Sequence, residues 1–237
     1  TSLAWAEKAY EWESPKIKTD IKETTNVLRK RGGIMSVKFP IHLAARNGDI
    51  KAVKRQLETG TDVNARDELG RTPLSQAAIG GHYEIIKLLI AKGAYWKANP
   101  VSLTGNTPLG FASQHNHPEI TKLLIGNGAN LNANAFSGGT PLGLAARFGH
   151  IEIAELLIAK GANVDGRDKY GRTPLHRASM YAGQRRKRDG TIYPAHDGLK
   201  EVIELLITKG ADVNAIFVSG RYQGKTLLDR ANQQKQR

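Results

Sequence analysis

Residues 140–172, TPLGLAARFGHIEIAELLIAKGANVDGRDKYGR, decide the fold of this 237-residue chain. Their opening Thr-Pro-Leu occurs four times, beginning at Thr72, Thr107, Thr140 and Thr173, with intervals of 35, 33 and 33 residues. A period of this size indicates one supersecondary unit that is copied along the chain. We therefore expect a linear array in which each unit packs only against its neighbours and the core forms a continuous ribbon.

Two short helices and a turn are predicted within residues 140–172. Thr140 is placed to cap the first helix, and Gly149 can adopt the left-handed conformation that ends it. Residues 151–160 form the second helix, with apolar residues at helical spacing, and Gly161 stops it. The segment that remains is rich in Asn, Asp and Gly, which is typical of a turn or hairpin. Aspartates in such turns are expected to bond their own backbone.

These residues resemble the ankyrin repeat. The resemblance is carried by the Thr-Pro-Leu-His opening, which is complete at residues 173–176, by the Gly-His pair between the helices, and by the Leu-Leu-Ile and Gly-Ala at the close of the second helix. It extends over nearly the whole chain. It implies an all-α ankyrin-repeat solenoid, built from helix-turn-helix units that each carry a hairpin-like finger.

Alignment on the opening motif places the main array at residues 39–237. Its units are 39–71, 72–106, 107–139, 140–172, an enlarged unit 173–225 with an insertion at 183–197, and a partial unit 226–237. The partial unit supplies only a first helix. Exchange of this segment between two copies of the chain is one way to complete it, and the oligomeric state is left open.

Residues 1–33 are interpreted as one more unit, irregular and carrying its own insertion. Their basic ending resembles the terminal capping repeat of bacterial-type ankyrin arrays. Residues 34–38 then form a joint that is too short for a full finger. Two alternatives remain: the unit packs as an irregular cap on the main array, or it ends an upstream array that is truncated at Thr1.

The composition excludes several classes of function. The chain has no cysteine, which excludes disulfides, thiolate metal sites and a cysteine nucleophile. No segment approaches the roughly 18 apolar residues that span a bilayer. The first residues lack the basic-then-apolar layout of a signal peptide, and the cytoplasm is the favoured compartment. The formal net charge of +13 favours partners of acidic character.

Seven histidines raise the question of a metal site or of acid–base catalysis. Five of them occupy repeat-defined positions: His42 and His176 in the opening motif, and His82, His117 and His150 between the helices. The resemblance to ankyrin repeats implies that histidines at these positions hold loops and helix starts together by hydrogen bonding. Neither His115 nor His196 has a second ligand at metal spacing. We therefore predict no metal site, no cofactor and no catalytic residue, and the chain is not expected to be an enzyme.

The resemblance implies that a partner contacts the finger tips and the ends of the first helices. The helix-end positions are Arg46, Asn47, Ile79, Gln114, His115, Arg147, Phe148, Met180 and Tyr181. The finger positions are Leu69, Arg71, Leu103, Phe136, Tyr170 and Arg172, with Phe217 and Tyr222 in the enlarged last finger. Phe148, Tyr170, Met180 and Tyr181 come from adjacent units and are of types that anchor interfaces. The alternative for Phe148 and Phe136 is that they cover neighbouring repeats.

The sequence thus predicts a non-catalytic protein–protein interaction module with a basic concave surface for a protein or peptide of acidic character. A first alternative is a polyanion-binding or nucleic-acid-binding module that uses Arg185, Arg186, Lys187 and Arg188 in the insertion. Nucleic acid is the weaker hypothesis, because Tyr193 is the insertion's only aromatic residue for base stacking. A second alternative is a regulatory or targeting segment of a larger enzyme or effector.

Overall fold

The computed structural model describes residues 41–96, 106–133, 139–181, 197–218, 223–229 and 232, and the backbone of residues 185–186 and 192–193. The chain divides into two compact units, Thr1–Lys38 and Phe39–Arg237. All the described residues belong to the second of these. The irregular unit predicted at residues 1–33 and the joint at 34–38 lie outside the described residues.

Helical pairs follow one another along the described residues. The elements are α1 (Ile41–Asn47), α2 (Ile50–Glu58), α3 (Pro73–Gly80), α4 (Tyr83–Ala91), α5 (Pro108–Gln114), α6 (Pro118–Gly126), α7 (Pro141–Phe148), α8 (Ile151–Ala159), α9 (Pro174–Tyr181), β1 (Arg185–Arg186), β2 (Ile192–Tyr193) and α10 (Leu199–Thr208). Each pair consists of a first helix of seven or eight residues and a second of nine or ten. The predicted all-α repeat solenoid is confirmed.

The first helices begin where the Thr-Pro-Leu motif predicts. The hydroxyls of Thr72, Thr107 and Thr140 each accept a hydrogen bond from the backbone N–H three residues later, at 3.2, 3.0 and 3.1 Å. These bonds satisfy one of the free donors at each helix start, and proline at the next position has no donor to lose. The predicted caps are therefore confirmed.

A continuous apolar layer separates the two rows of helices. The first helices α1, α3, α5, α7 and α9 pack side by side, and the second helices pack in a parallel row behind them. The leucine of each Thr-Pro-Leu motif lies in this layer, at 0 to 2% exposure: Leu74, Leu109, Leu142 and Leu175. The motif therefore determines where each first helix begins and places its leucine in the core.

The histidines between the helices join successive units. In each case Nε2 of the ring donates to a backbone carbonyl near the end of the preceding unit's first helix. The pairs are His82 with Arg46 at 2.8 Å, His117 with Ile79 at 3.2 Å, and His150 with Gln114 at 3.1 Å. Their predicted structural role is confirmed, and each bond satisfies a carbonyl that the helix leaves free.

The enlarged unit has 17 residues between its two helices, α9 and α10. Within the insertion, β1 and β2 pair antiparallel, with Arg185 opposite Tyr193 and Arg186 opposite Ile192. The backbone of residues 185–186 and 192–193 is therefore paired as two short strands, where the sequence predicted only a loop. Strands of two residues are too short to show the alternation of apolar and polar residues by which a strand is predicted from sequence.

Asn116 occupies the interhelix position that glycine fills in the neighbouring units. Its φ of 59° makes it the one non-glycine residue with positive φ among those described. We expect Asn116→Ala to lower the free energy of unfolding by about 1 kcal/mol, because a Cβ without a compensating polar group disfavours the left-handed conformation. Asn116→Gly is the matched control and should be at least as stable as the parent in urea titrations. Equal stability of the two variants would contradict this account.

Candidate functional site

In two of the predicted fingers, an aspartate side chain bonds the arginine that lies four residues later. Oδ2 of Asp67 accepts a hydrogen bond from Nε of Arg71 at 2.8 Å, and its Oδ1 accepts one from the Arg71 backbone N–H at 2.8 Å. Asp168 repeats this arrangement with Arg172, at 2.7 Å to Nε and 2.8 Å to the N–H. Arg71 and Arg172, which we expected to contact a partner, are thus each held by an ion pair within their own finger.

The two fingers differ in the residue that reaches them from the following first helix. Nη2 of Arg177, in α9, lies 2.6 Å from Oδ2 of Asp168, and both residues are buried. At the same position of α3, the neutral side chain of Gln76 donates to Asp67 at 2.9 Å. Arg46 then donates to Gln76 at 3.3 Å. The finger near α9 therefore holds a buried ion pair where the other holds a neutral hydrogen bond.

The charges around Asp168 shift its titration and that of its partner. Burial acts to raise the pKa of Asp168, but the charge of Arg177 and the hydrogen bonds of Arg172 outweigh it and hold this pKa below its ordinary value. Burial lowers the pKa of Arg177 to about 10, and the charges of Arg172 and Arg147 add to the effect while Asp168 opposes it. Arg172 and Arg147 thus both contribute positive charge near the guanidinium of Arg177.

Arg147 connects two of the predicted aromatic contact residues. Its guanidinium carbon lies 4.5 Å from the ring centroid of Tyr181 and 5.0 Å from that of Phe148. Tyr181 and Met180 are partly exposed, whereas Phe148 is only 8% exposed and stacks on His150. The structure therefore brings Phe148 and Tyr181 together, but Phe148 offers little surface to a partner. Its position matches the alternative that the sequence left open, in which the ring covers a repeat.

Tyr170 lies exposed at a finger tip, as expected. It is 43% exposed, and its ring has a cation on either side in the sequence: Nζ of Lys169 lies 4.9 Å from the ring centroid and the guanidinium carbon of Arg172 lies 4.6 Å from it. Cations at this distance are attracted to an aromatic face. The exposed tyrosine ring thus has two positive charges close to it.

Phe217 is not a finger-tip contact residue, and that prediction was wrong. It is 3% exposed, and its ring packs edge-on against His176 with the centroids 4.2 Å apart. Its backbone N–H donates to the Lys225 carbonyl at 3.0 Å, and its carbonyl accepts from the Gly224 N–H at 2.8 Å. The enlarged finger folds back through these bonds and turns the ring into the core.

The neighbours of Phe217 form an exposed surface that sequence reasoning missed. Ile216 is 46% exposed and Val218 is 48% exposed, on either side of the buried ring. Val218 lies directly over Gly171, and Nη1 of Arg167 donates to the Ile216 carbonyl at 3.2 Å and to the Gly171 carbonyl at 2.9 Å. We call Tyr170, Ile216 and Val218 the tip patch. Alternation of outward and inward apolar residues over 216–218 was the signal for it.

The other predicted contact residues occupy varied positions. Asn47 is exposed, Leu69 and His115 are half-buried, and Ile79 packs against the core. Gln114 accepts a hydrogen bond at 3.4 Å from the amide of Asn106. Outside the described residues lie Leu103, Phe136, Lys187, Arg188 and Tyr222, together with the side chains of Arg185 and Arg186.

Metal-binding clusters and membrane-spanning helices are both absent from the described residues. These residues contain no group of three or more His, Asp or Glu side chains that could hold a metal ion. Nor does any helix among them have the length and apolarity that crossing a membrane requires. Two open depressions have volumes of about 410 and 260 Å³, and the first is lined by Phe148, His150, Glu152 and Asp197 among others. His150 already donates to a carbonyl there.

Comparison with known proteins identifies the repeat. A family profile described as ankyrin repeats (3 copies) matches residues 41–135 and 127–217. A putative ankyrin repeat protein of Rickettsia bellii is 39% identical over 72 residues, which are 28% of this chain and 30% of that protein. Ankyrin repeat domain-containing protein 37 of Homo sapiens is 46% identical over 55 residues, covering 23% and 35%.

A plant relative matches over a similar stretch. Acyl-CoA-binding domain-containing protein 2 of Arabidopsis thaliana is 46% identical over 54 residues, which are 23% of this chain and 15% of that protein. The chain thus spans between 15% and 35% of the length of these three relatives. In each case the similarity covers a run of repeats and not a whole protein.

Proposed function

The chain belongs to the ankyrin-repeat family, and we propose that it is a non-catalytic interaction module for a protein or peptide of acidic character. Ankyrin repeats are protein–protein interaction modules and are generally non-catalytic. The contact surface in this proposal is formed by the finger tips and the ends of the first helices, on the side that is concave in such arrays. The net charge of +13 supports acidic character in the partner.

The tip patch is the observation that carries the proposal. An exposed aromatic ring beside two exposed aliphatic side chains supplies the apolar centre of an interface, and Tyr170 is of a type that is enriched at binding hot spots. Lys169 and Arg172, at 4.9 and 4.6 Å from its ring, supply a positive rim. A partner that fits this surface carries an apolar anchor residue flanked by Asp or Glu.

Stacking of the repeats supports tight binding at such a surface. The ends of successive first helices are tied together by the His82, His117 and His150 bonds to the preceding unit. The tip patch is likewise fixed by Arg167, which bonds the Ile216 and Gly171 carbonyls. Because these groups are ordered before a partner arrives, association loses little conformational entropy.

The proposal predicts a specific loss of affinity. The probe is a 12-residue peptide with a central Leu-Leu pair flanked by glutamates, and the control peptide has glutamine at each glutamate position. We expect the acidic peptide to bind preferentially and Tyr170→Ala to weaken its binding about tenfold, measured by fluorescence anisotropy. Tyr95→Ala is the matched control variant, since Tyr95 is 70% exposed and lies outside the tip patch.

The same titration tests the polyanion alternative. A 12-nucleotide single strand of thymidines and a 12-base-pair duplex replace the peptide, and the ionic strength is varied from 50 to 200 mM. Tighter binding of either nucleic acid, with a steep salt dependence and no effect of Tyr170→Ala, would reject the tip patch in favour of the basic insertion at 185–188. Equal binding of the glutamate and glutamine peptides would reject acidic character in the partner.

The lengths of the relatives support one further element of the proposal. Because the chain spans between 15% and 35% of their lengths, its repeats can serve as the interaction segment of a larger protein. In that arrangement the array recruits the partner and other domains act on it.

A further inference from the structure

Arg147 lies in an unusual environment for a surface arginine. Its guanidinium is flanked by the rings of Tyr181 and Phe148, with centroids 4.5 and 5.0 Å from the guanidinium carbon. Its Nε atom is buried and makes no hydrogen bond. Across the part of the chain that the structure describes, the guanidinium has these ring contacts but no ion pair or hydrogen bond. The two rings therefore hold the guanidinium of Arg147 in place, but no negatively charged side chain among the described residues pairs with it.

Nearby charges make this environment more positive still. Arg172 and Arg177 share a single carboxylate, that of Asp168, at 2.7 and 2.6 Å. The charge of Arg147 is close enough to contribute to the lowered pKa of Arg177, after burial and Arg172. Arg147 thus adds its positive charge beside two guanidinium groups that share one carboxylate. A bound carboxylate would supply the counter-charge that the guanidinium of Arg147 lacks.

We propose that Arg147 is the anchoring residue for an Asp or Glu carboxylate of the acidic partner. This inference rests on the proposed function and adds the position at which the acidic group binds. The planar guanidinium presents paired donors that match the two oxygens of a carboxylate. The two rings hold its plane in place before binding, which removes the entropy loss that an unrestrained arginine side chain would suffer.

Carboxylate fits this site better than phosphate for reasons of charge. A phosphate ester carries close to two negative charges at neutral pH, and it is recognised where several unpaired cations converge. Here Arg172 and Arg177 already bind Asp168, so that one guanidinium is available. The partly exposed ring of Tyr181 adds an apolar surface beside it, which suits a peptide side chain more than a nucleic-acid backbone.

The experiment uses hexaglutamate as the probe and hexaglutamine as its neutral control. We expect Arg147→Lys to weaken hexaglutamate binding about tenfold at 50 mM salt, because lysine keeps the charge and loses the planar paired donors. Arg55→Lys is the matched control, since Arg55 is exposed on α2, far along the sequence from α7, and its affinity should stay within twofold of the parent. Hexaglutamine should bind neither the parent nor the variants.

A second measurement avoids dependence on the stability of the variant. In the parent protein, the Nε–H resonance of Arg147 should shift on titration with hexaglutamate and saturate with the affinity found by anisotropy. An unshifted resonance, or Arg147→Lys binding like the parent, would overturn the anchor while leaving an acidic partner in place. Failure of hexaglutamate to bind at all would overturn both the anchor and the acidic partner.

Discussion

Asp168→Asn is expected to lower the free energy of unfolding by about 4 kcal/mol. The substitution keeps the shape of the side chain and removes its charge, which leaves the guanidinium of Arg177 buried at 3% exposure without a counter-ion. Breaking one side of a buried ion pair is costly because the remaining charge has lost its solvation and gained nothing in return. The effect should be read from urea denaturation at neutral pH.

The chain contains a matched control for this substitution. Asp67 makes the same bonds to Arg71 that Asp168 makes to Arg172, but it faces the neutral amide of Gln76. Asp67→Asn should therefore lower the free energy of unfolding by only about 1 kcal/mol, since a partly exposed ion pair and one hydrogen bond are lost. The difference between the two variants isolates the cost of the unpaired arginine.

A double variant provides the decisive comparison. In Asp168→Asn, Arg177→Gln, the finger near α9 acquires the neutral arrangement seen at Gln76, and we expect most of the lost stability to return. If the double variant were no more stable than Asp168→Asn alone, the burial of Arg177 would not be the cause of the loss.

Those parts of the fold that depend on nearby residues could be predicted from the sequence. Thr140 caps its helix because the acceptor and the free N–H are three residues apart, and Gly149 ends that helix with a φ of 74°. Both features need only local chemistry. The same holds for Asp168, whose Oδ1 bonds the N–H groups of Tyr170 and Arg172 as an aspartate in a turn should.

What could not be predicted depends on contacts between units. Oδ2 of Asp168 accepts a hydrogen bond from Arg177, which lies nine residues later in the following first helix. Local sequence patterns do not show that these two side chains meet. Phe217 likewise packs against His176, which is 41 residues earlier, because the enlarged finger folds back. The position of Arg147 between Phe148 and Tyr181 joins α7 to α9 across a unit boundary.

In the candidate site, too, the sequence predicted positions along the helices but not the contacts between units. The sequence predicted a cluster of Phe148, Tyr170, Met180 and Tyr181, and the structure has Arg147 in contact with the rings of Phe148 and Tyr181. The sequence could not show that Phe148 would be buried, since exposure at a helix end depends on the side chains of the next unit. The tip patch was missed because its aliphatic members come from the finger that departs most from the repeat.

His176 should make the protein lose stability as the pH falls from about 6.5 to about 4. The ring is fully buried, and burial followed by the charge of Arg167 lowers its pKa from 6.5 to about 4. Arg172 acts in the same direction, while the Ala215 carbonyl and Asp168 oppose it. Because the unfolded chain binds a proton at a higher pH than the folded protein does, acid in this window favours unfolding.

The size of the effect follows from the shift. A difference of this size between the folded and unfolded states corresponds to about 3 kcal/mol, lost progressively across the window and complete below it. Asp67 and Asp168, whose pKa values are held below the ordinary range, also lose stabilising free energy as acid protonates the unfolded chain, so a variant that lacks only the His176 ring is needed to isolate its share. The free energy of unfolding should be measured in urea at pH 7.0, 5.5 and 4.5.

The repeat itself suggests the control variant. Ser75 fills the same position of the Thr-Pro-Leu motif at residues 72–75, where its hydroxyl bonds that of Thr72 at 3.2 Å. In His176→Ser the stability at pH 7 should fall, because the Phe217 ring loses its edge-on contact at 4.2 Å and a cavity opens. The loss of stability between pH 7.0 and 4.5 should nevertheless be about 2 kcal/mol smaller than in the parent, since the titrating group is gone. An unchanged pH dependence in the variant would assign the acid sensitivity to other groups and reject the role given to His176.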